Sequence, residues 1–301
     1  MSDPGIAGVV PEVALGRQSP RKLLVDRGFR GVLWISVGGA VLSLIVLLWY
    51  VISNGAATFG PRLWTRFPSL INPELSGARS AVFGTLWVIG VTAALAIPIG
   101  VGAAVYLEEF ARQDRWYNRL IELNIQNLAG VPSIVYGILG LAFIARGPLG
   151  LGFVVLTAGM ILALLVLPIV IIASREAIRA VPSSIRQASL ALGATELQTV
   201  RRQVIPAAMP GIATAVILAL SRAIGEAAPL ILIGAATYVP FNPTGLDSRF
   251  TVLPIQIFNW VESPQEEFVA LAASACLLLL VILLGMNAIA IWVRNKYQQK
   301  W

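Results

Sequence analysis

The chain has 301 residues, 57% of them hydrophobic and only 12% charged, with a mean hydropathy of +0.80. A soluble domain carries about a quarter charged residues, so an ordinary water-soluble fold is excluded and a polytopic, all-α membrane protein is expected. The net charge is +7, with no histidine and one cysteine, Cys276; an intrachain disulfide is impossible, and no zinc or haem site is expected.

Crossing the hydrocarbon core takes roughly 20 apolar residues as a helix. Segments 32–52, 81–106, 122–144, 149–173, 207–235 and 268–293 qualify, which predicts six transmembrane helices. A polar tail, 1–31, precedes the first. That apolar run is too long for a signal h-region, so it is read as a retained, accessory helix. The loop 53–80 carries Pro61, Pro68 and Pro73 with Trp64 and Phe67, a composition suited to the membrane interface. Pro98 breaks the second span, where Gly90, Gly100 and Gly102 allow close helix approach. Residues 108–122 mix both charge signs with Trp116 and Tyr117 and predict an interfacial elbow helix. Arg146-Gly147-Pro148 makes a tight turn between the third and fourth spans. A hydrophilic stretch, 174–206, separates the fourth span from the fifth. The connection 236–267 is long, proline-rich and acidic, and the last span leads to a tail, 295–301. Trp34, Trp49, Trp64, Trp87, Trp116, Trp260, Trp292 and Trp301 read mostly as interface anchors. One membrane domain, 80–294, follows the accessory helix.

Lysine and arginine concentrate on the cytoplasmic side. Assigning that side to the N-terminal tail, the second and fourth connections and the C-terminal tail places 16 basic residues inside, among them Arg17 and Lys300, against 5 outside. Both termini are therefore expected in the cytoplasm. The positive charge then faces anionic lipid headgroups and calls for no nucleic-acid partner. The remaining basic residue, Arg222, falls within a span.

In the stretch 174–206, Pro182 with Ser183 and Ser184 predicts a proline-led helix start with a hydroxyl available as cap. Gly193 can end that helix, and a second amphipathic helix can run through 195–204 before Pro206 opens the fifth span. Gln187-Ala188-Ser189, Gly193 and Ile205-Pro206 resemble the "EAA" loop of binding-protein-dependent ABC importers. Gln187 and Ser189 depart from that pattern, while Ala188, Gly193 and Pro206 keep its register. The resemblance implies that Ser184, Gln187, Ala188, Ser189, Gly193, Ala194 and Thr195 dock an ATP-binding subunit. An inside loop whose arginines only set topology is the plainer alternative. None of the three lysines follows a glycine, so no phosphate-binding G-x-x-x-x-G-K-[ST] loop can form. ATP and Mg belong to a partner; this chain is expected to bind no cofactor or metal and to have no catalytic residues.

Three stretches narrow the resemblance: Gly130-Val131-Pro132-Ser133-Ile134-Val135-Tyr136-Gly137; Ser174-Arg175-Glu176-Ala177 with Val181-Pro182-Ser183-Ser184 and Leu192-Gly193-Ala194-Thr195; and Leu220-Ser221-Arg222-Ala223-Ile224-Gly225-Glu226-Ala227-Ala228-Pro229-Leu230. Over about 80–292 they resemble the permease subunits of the phosphate-specific ABC importer, above all the PstA-type. This implies a type I ABC importer (MetI-like) permease in a bacterial cytoplasmic membrane. Its implied partners are a second homologous permease subunit, two ATP-binding subunits and an extracytoplasmic phosphate-binding protein.

Arg222 and Glu226, four residues apart in one helix, would share a face and partly neutralise each other. A charge at such depth faces the bundle interior or a water-filled path, and a guanidinium matches a tetrahedral oxyanion. Arg222 is thus expected to offer phosphate a transient station that Glu226 tempers; a structural ion pair is the alternative. Ser221, Ser133 and Tyr136 are further path candidates. The expected function is a permease subunit for inorganic phosphate. The alternatives are a related oxyanion or amino-acid importer subunit, or a non-conducting scaffold of the same fold.

Overall fold

The computed structural model describes residues 20–297 apart from Leu70, Gln113, Ala236 and Thr237. Arg17, Lys300 and Trp301, singled out above, lie outside that set. Among the described residues every regular element is helical. The chain divides into two units, residues 1–50 and 51–301.

The first unit is built on α1 (Pro20–Gly55), which extends past the apolar run 32–52 at both ends. Its side chains from Asp26 to Tyr50 are exposed almost throughout, and Asp26 pairs with Arg30 one turn on at 2.9 Å.

The second unit opens with the short α2 (Arg62–Thr65), whose Leu63 is fully buried, and a 3-10 turn at Pro73–Leu75. It continues with α3 (Arg79–Val105), α4 (Trp116–Ala129), α5 (Ser133–Leu139), α6 (Val155–Arg179), α7 (Ser183–Ala191), α8 (Glu196–Thr199), α9 (Ile205–Ile224), α10 (Ala228–Leu232), α11 (Leu253–Val261) and α12 (Glu267–Tyr297). Three π-helical turns extend them: Tyr106–Phe110 prolongs α3, Gly140–Ala145 prolongs α5, and Val200–Val204 joins α8 to α9. Five helices are long and apolar enough to cross a membrane, and six spans result when the bent pair α4–α5 counts as one.

The core forms around α6. Its most extensive pairing is with α3, where Gly100 meets Val170 and Gly159 meets Val91. Small residues at such a seam let helices approach and gain dispersion contacts, which matter more in lipid because hydrophobic burial no longer drives association. Thr92 returns its hydroxyl to Val88 O at 2.8 Å and also lies 3.4 Å from Gly159 O across the seam. On the other flank, α9 packs against α6 and α12. Near the start of α3, Thr85 Oγ1 accepts the Leu253 amide at 2.9 Å, which seats α11.

Five expectations are corrected. Pro98 does not break the second span, since α3 runs through it unbroken from Arg79 to Val105. The third span is not one helix: residues 130–132 bend α4 from α5 by 105°. Pro132 lacks an N–H, and the residue before a proline is pushed out of the α region. The fifth span stops at Ile224, capped by Gly225, and restarts only as α10. Residues 108–122 do not form one elbow helix; Glu108 and Glu109 continue α3, and only Trp116 onward is helical again, as the start of α4. Trp260 anchors no interface, since it is buried and stacks on Phe268 with ring centroids 6.5 Å apart.

The two breaks meet, because α5 packs on α10. A Cβ added to Gly137 would stand 2.7 Å from Pro229 Cα and 2.9 Å from its carbonyl oxygen, so only glycine allows this approach. Gly137→Ala should destabilise the purified assembly by about 1–3 kcal/mol, the usual range for overpacking. Thermal unfolding in detergent measures this, with Gly90→Ala as comparison, since nothing lies within 4 Å of a Cβ there. Equal unfolding temperatures for the two variants would contradict the packing.

Candidate functional site

Two regions hold the residues that the sequence nominates. The first is the loop after α6. The Gly193 backbone is left-handed at φ +84°, which ends α7. The Gly193 amide donates to Leu190 O at 2.9 Å and the Ala194 amide to Ser189 O at 3.2 Å, the paired bonds of a Schellman turn. Thr195 then starts α8 with a reciprocal capping box: its hydroxyl accepts the Gln198 amide, and Gln198 Oε1 accepts the Thr195 amide. The Ser189 and Thr199 hydroxyls bond at 2.8 Å and tie α7 to α8.

Two details differ from expectation. Neither Ser183 nor Ser184 caps α7; Pro182 holds the N-cap position with no side-chain bond. The second loop helix does not stop before Pro206 but runs through the π turn into α9. That turn bonds the Ile205 amide to Val200 O, five residues back, and so widens the backbone just ahead of a residue with no N–H.

Ser184, Gln187, Ala188, Gly193 and Thr195 are exposed on this element, and Ser189 and Ala194 are half-buried. Leu190, Leu192 and Leu197 are exposed beside them, Leu192 at 89%. An apolar rim of this kind on a polar loop marks an interaction surface.

Beneath the loop lies an ionic network that the sequence reading missed, having counted its arginines only as topology charges. Glu108 takes both Nε and Nη2 of Arg179 at 2.9 Å and Nε of Arg175 at 3.4 Å. Arg175 also reaches Glu122 on α4 at 3.0 Å, and Arg179 reaches Glu176 at 3.1 Å. Glu109 takes Arg186 of α7, with Nη2 at 2.6 Å and Nε at 3.2 Å. The available signal was the tandem Glu108-Glu109 at the basic end of an apolar span, where buried carboxylates need cations.

The second region is where the breaks meet. Tyr136 is buried, and its hydroxyl donates to Leu128 O at 2.9 Å, across the bend between α4 and α5. Tyr136 and Leu128 line one apolar cavity with Leu164 and Leu167, near the middle of α6. The bend therefore lies halfway along a span. Arg222, in the last turn of α9, is exposed, and its neighbours Ala223 and Ile224 pack in the same apolar cluster as Tyr136. A cation is favoured at a helix C-terminus by the macrodipole.

Arg222 and Glu226 do not share a helix face, because α9 ends between them. Among the described residues no carboxylate stands within 4 Å of Arg222. Ser221 is engaged: its hydroxyl is 2.8 Å from Ile217 O and 2.7 Å from Asn287 Oδ1 of α12. Ser133 is half-buried at the first position of α5, beside the bend. The structure thus brings Arg222, Tyr136 and the bend together, while Ser221 turns to a helix–helix contact.

Comparison with known proteins agrees with this architecture. Residues 96–296 match the family model for the binding-protein-dependent transport system inner membrane component. The chain is similar to the phosphate transport system permease protein PstA 1 of Mycobacterium tuberculosis, with 34% identity over 260 residues, 85% of this chain and 84% of that one. It is also similar to the phosphate transport system permease protein PstC of Mesorhizobium japonicum, with 30% identity over 284 residues, 85% of this chain and 84% of that one. Among solved structures, the inward-facing MetNI methionine ABC transporter aligns with a TM-score of 0.59 at 19% identity, over 73% of this chain and 95% of that one, and shows the shared fold. The chain belongs to the binding-protein-dependent transport system inner membrane component family, as a multi-pass permease subunit of an ABC importer in the bacterial inner membrane.

Proposed function

We propose that this chain forms half of the translocation path of an ATP-driven importer of inorganic phosphate, paired with a second homologous permease subunit. The observation that carries this reading is Arg222, a guanidinium halfway along the spans with no carboxylate partner among the described residues. An arginine at a helix centre costs about 2.5–3.5 kcal/mol on insertion scales. Such a charge persists where it faces a partner subunit or a water-filled path. Its planar fork suits a tetrahedral oxyanion, and the phosphate-transport names of the relatives support phosphate as that anion. Glu226, freed from the helix, would repel the anion and keep its stay short. Ser133 and Tyr136 would border the path, and Ser221 would hold α9 against α12.

The permease itself performs no covalent chemistry. Its loop offers Ser184, Gln187, Ala188, Ser189, Gly193, Ala194 and Thr195, rimmed by exposed leucines, to an ATP-binding subunit. Gln187 carries no charge, so docking would rest on shape, apolar contact and hydrogen bonds. The distribution of basic residues supports placing this loop and both termini in the cytoplasm. Two ATP-binding subunits would hold ATP and Mg there. A phosphate-binding protein would dock on the opposite side, and membrane lipid would surround the spans.

Radiolabelled phosphate uptake by the complete importer in proteoliposomes tests this. Arg222→Gln should lower uptake about 10- to 100-fold with the complex still assembled, as expected from losing a charge-assisted bond of ~1.5–3 kcal/mol. Unchanged uptake would place the path elsewhere. Preferred uptake of another oxyanion or of an amino acid by the wild type would reassign the substrate, and no uptake at all would indicate a scaffold. Leu192→Asp should abolish co-purification of the ATP-binding subunit, and its full retention would contradict docking at this loop.

A further inference from the structure

The docking loop must be joined mechanically to the spans, and one side chain is placed to do this. On α7 the exposed positions include Ser184, Gln187, Ala188 and Leu190, while Ile185, Arg186 and Ser189 turn inward. Ile185 packs on a small apolar cluster that joins Ala104 of α3 to Ile178, Val204 and Ala208, and Ser189 bonds Thr199 within the loop. Among the described residues, Arg186 is the α7 side chain that makes a polar contact with the π turn ending α3.

All three nitrogens of Arg186 are engaged. Nη2 and Nε hold the Glu109 carboxylate at 2.6 and 3.2 Å, Nη1 donates to Val181 O at 2.7 Å, and Nη2 donates also to Ile178 O at 3.0 Å. One guanidinium thus joins the docking helix, the carbonyls that end α6 and the π turn that ends α3. Its side chain is 24% exposed and that of Glu109 is 9% exposed, so water screens the pair little. The neighbouring Glu108 pairs differ in kind, because Arg175 and Arg179 both lie on α6 and tie span to span.

We propose that the Arg186–Glu109 pair is the strut that carries displacement of α7 to α3, and that Glu109 is a positioning residue for coupling ATP hydrolysis to transport. This rests on the reading that α7 docks an ATP-binding subunit. A push on the exposed face of α7 arrives at α3 through a planar, bidentate contact with no slack. From there it passes along the α3–α6 seam towards the mid-span break. Glu109→Gln removes the charge while leaving the two carbonyl contacts of Arg186 in place.

The test measures uptake and ATP hydrolysis together in proteoliposomes holding the complete importer. With Glu109→Gln, the ATP-binding subunit should stay bound and hydrolysis should persist, while phosphate moved per ATP falls about tenfold, within the range for coupling residues remote from any ligand. In a Cys276→Ser background, Glu109→Cys with Arg186→Cys should be uncoupled until a short bifunctional thiol reagent links the two, and coupled afterwards. A static role in folding would give no such rescue. Unchanged transport per ATP in Glu109→Gln would overturn the proposal. Should that variant fail to assemble, the cysteine pair decides, and cross-linking without recovery of transport would likewise overturn it. Retention of the ATP-binding subunit in Leu192→Asp would instead refute docking at α7 and leave the strut without its input.

Discussion

Backbone that leaves the helix inside a bilayer must find its hydrogen bonds in protein or in enclosed water, because lipid supplies none. The chain leaves the helix twice near mid-span, at residues 130–132 and 225–227, and the rest of the structure accommodates those breaks. They are packed together, α5 on α10, at a separation that only glycine at position 137 permits. Tyr136 gives its hydroxyl to a carbonyl on the far side of the first break. Around them, long uninterrupted helices supply rigidity: α6 at the centre, α3 along one flank, α9 and α12 along the other. Non-helical backbone at this depth is tolerated where it is buried or lines a cavity, and Arg222 lies at the same level. A cation with no carboxylate partner among the described residues, and broken helices at the same place, are what an ion path needs and what a passive membrane anchor has no reason to keep.

The other end of the bundle follows different physics. Between α3 and the loop after α6, the carboxylates of Glu108 and Glu109 and the guanidinium of Arg175 are held from water, and Arg175, Arg179 and Arg186 satisfy those carboxylates. Removing either partner of a buried pair leaves a charge uncompensated, so such a network is kept whole. It gives the loop after α6 a fixed posture, while the outer face of that loop keeps leucines exposed. An inner face fixed to the spans and an outer face left uncovered are what a transmitting element requires.

Much of this was legible in the sequence. The spans follow from apolar run length, and the loop follows from polarity between two runs. Gly193 follows from the need for a left-handed residue at the end of α7. The break at Gly225 was not legible, because a hydropathy sum barely registers three residues, and Arg222 and Glu226 look like an ordinary i, i+4 pair until the helix is seen to end between them. The π turns escaped for the same reason, since they shift the register without changing composition. Arg175, Arg179 and Arg186 match the positive-inside pattern so well that no partner had to be sought. Apart from Glu176, three positions before Arg179, their partners lie 53–77 positions earlier, a separation that no local pattern encodes. Trp260 was misjudged because membrane proteins use tryptophan both at interfaces and in cores, and only burial separates the two uses.

The most direct measurement is the accessibility of the mid-span break. Ser133→Cys in a Cys276→Ser background places one thiol at the start of α5, beside the bend. In the complete importer it would be exposed to membrane-impermeant thiol reagents from each side, without nucleotide and then with ATP and vanadate. If the break borders a path that opens alternately, reactivity will be confined to one side in each state and will change sides when nucleotide is trapped. A thiol that reacts from neither side in any state, or from the same side in both, would contradict that account.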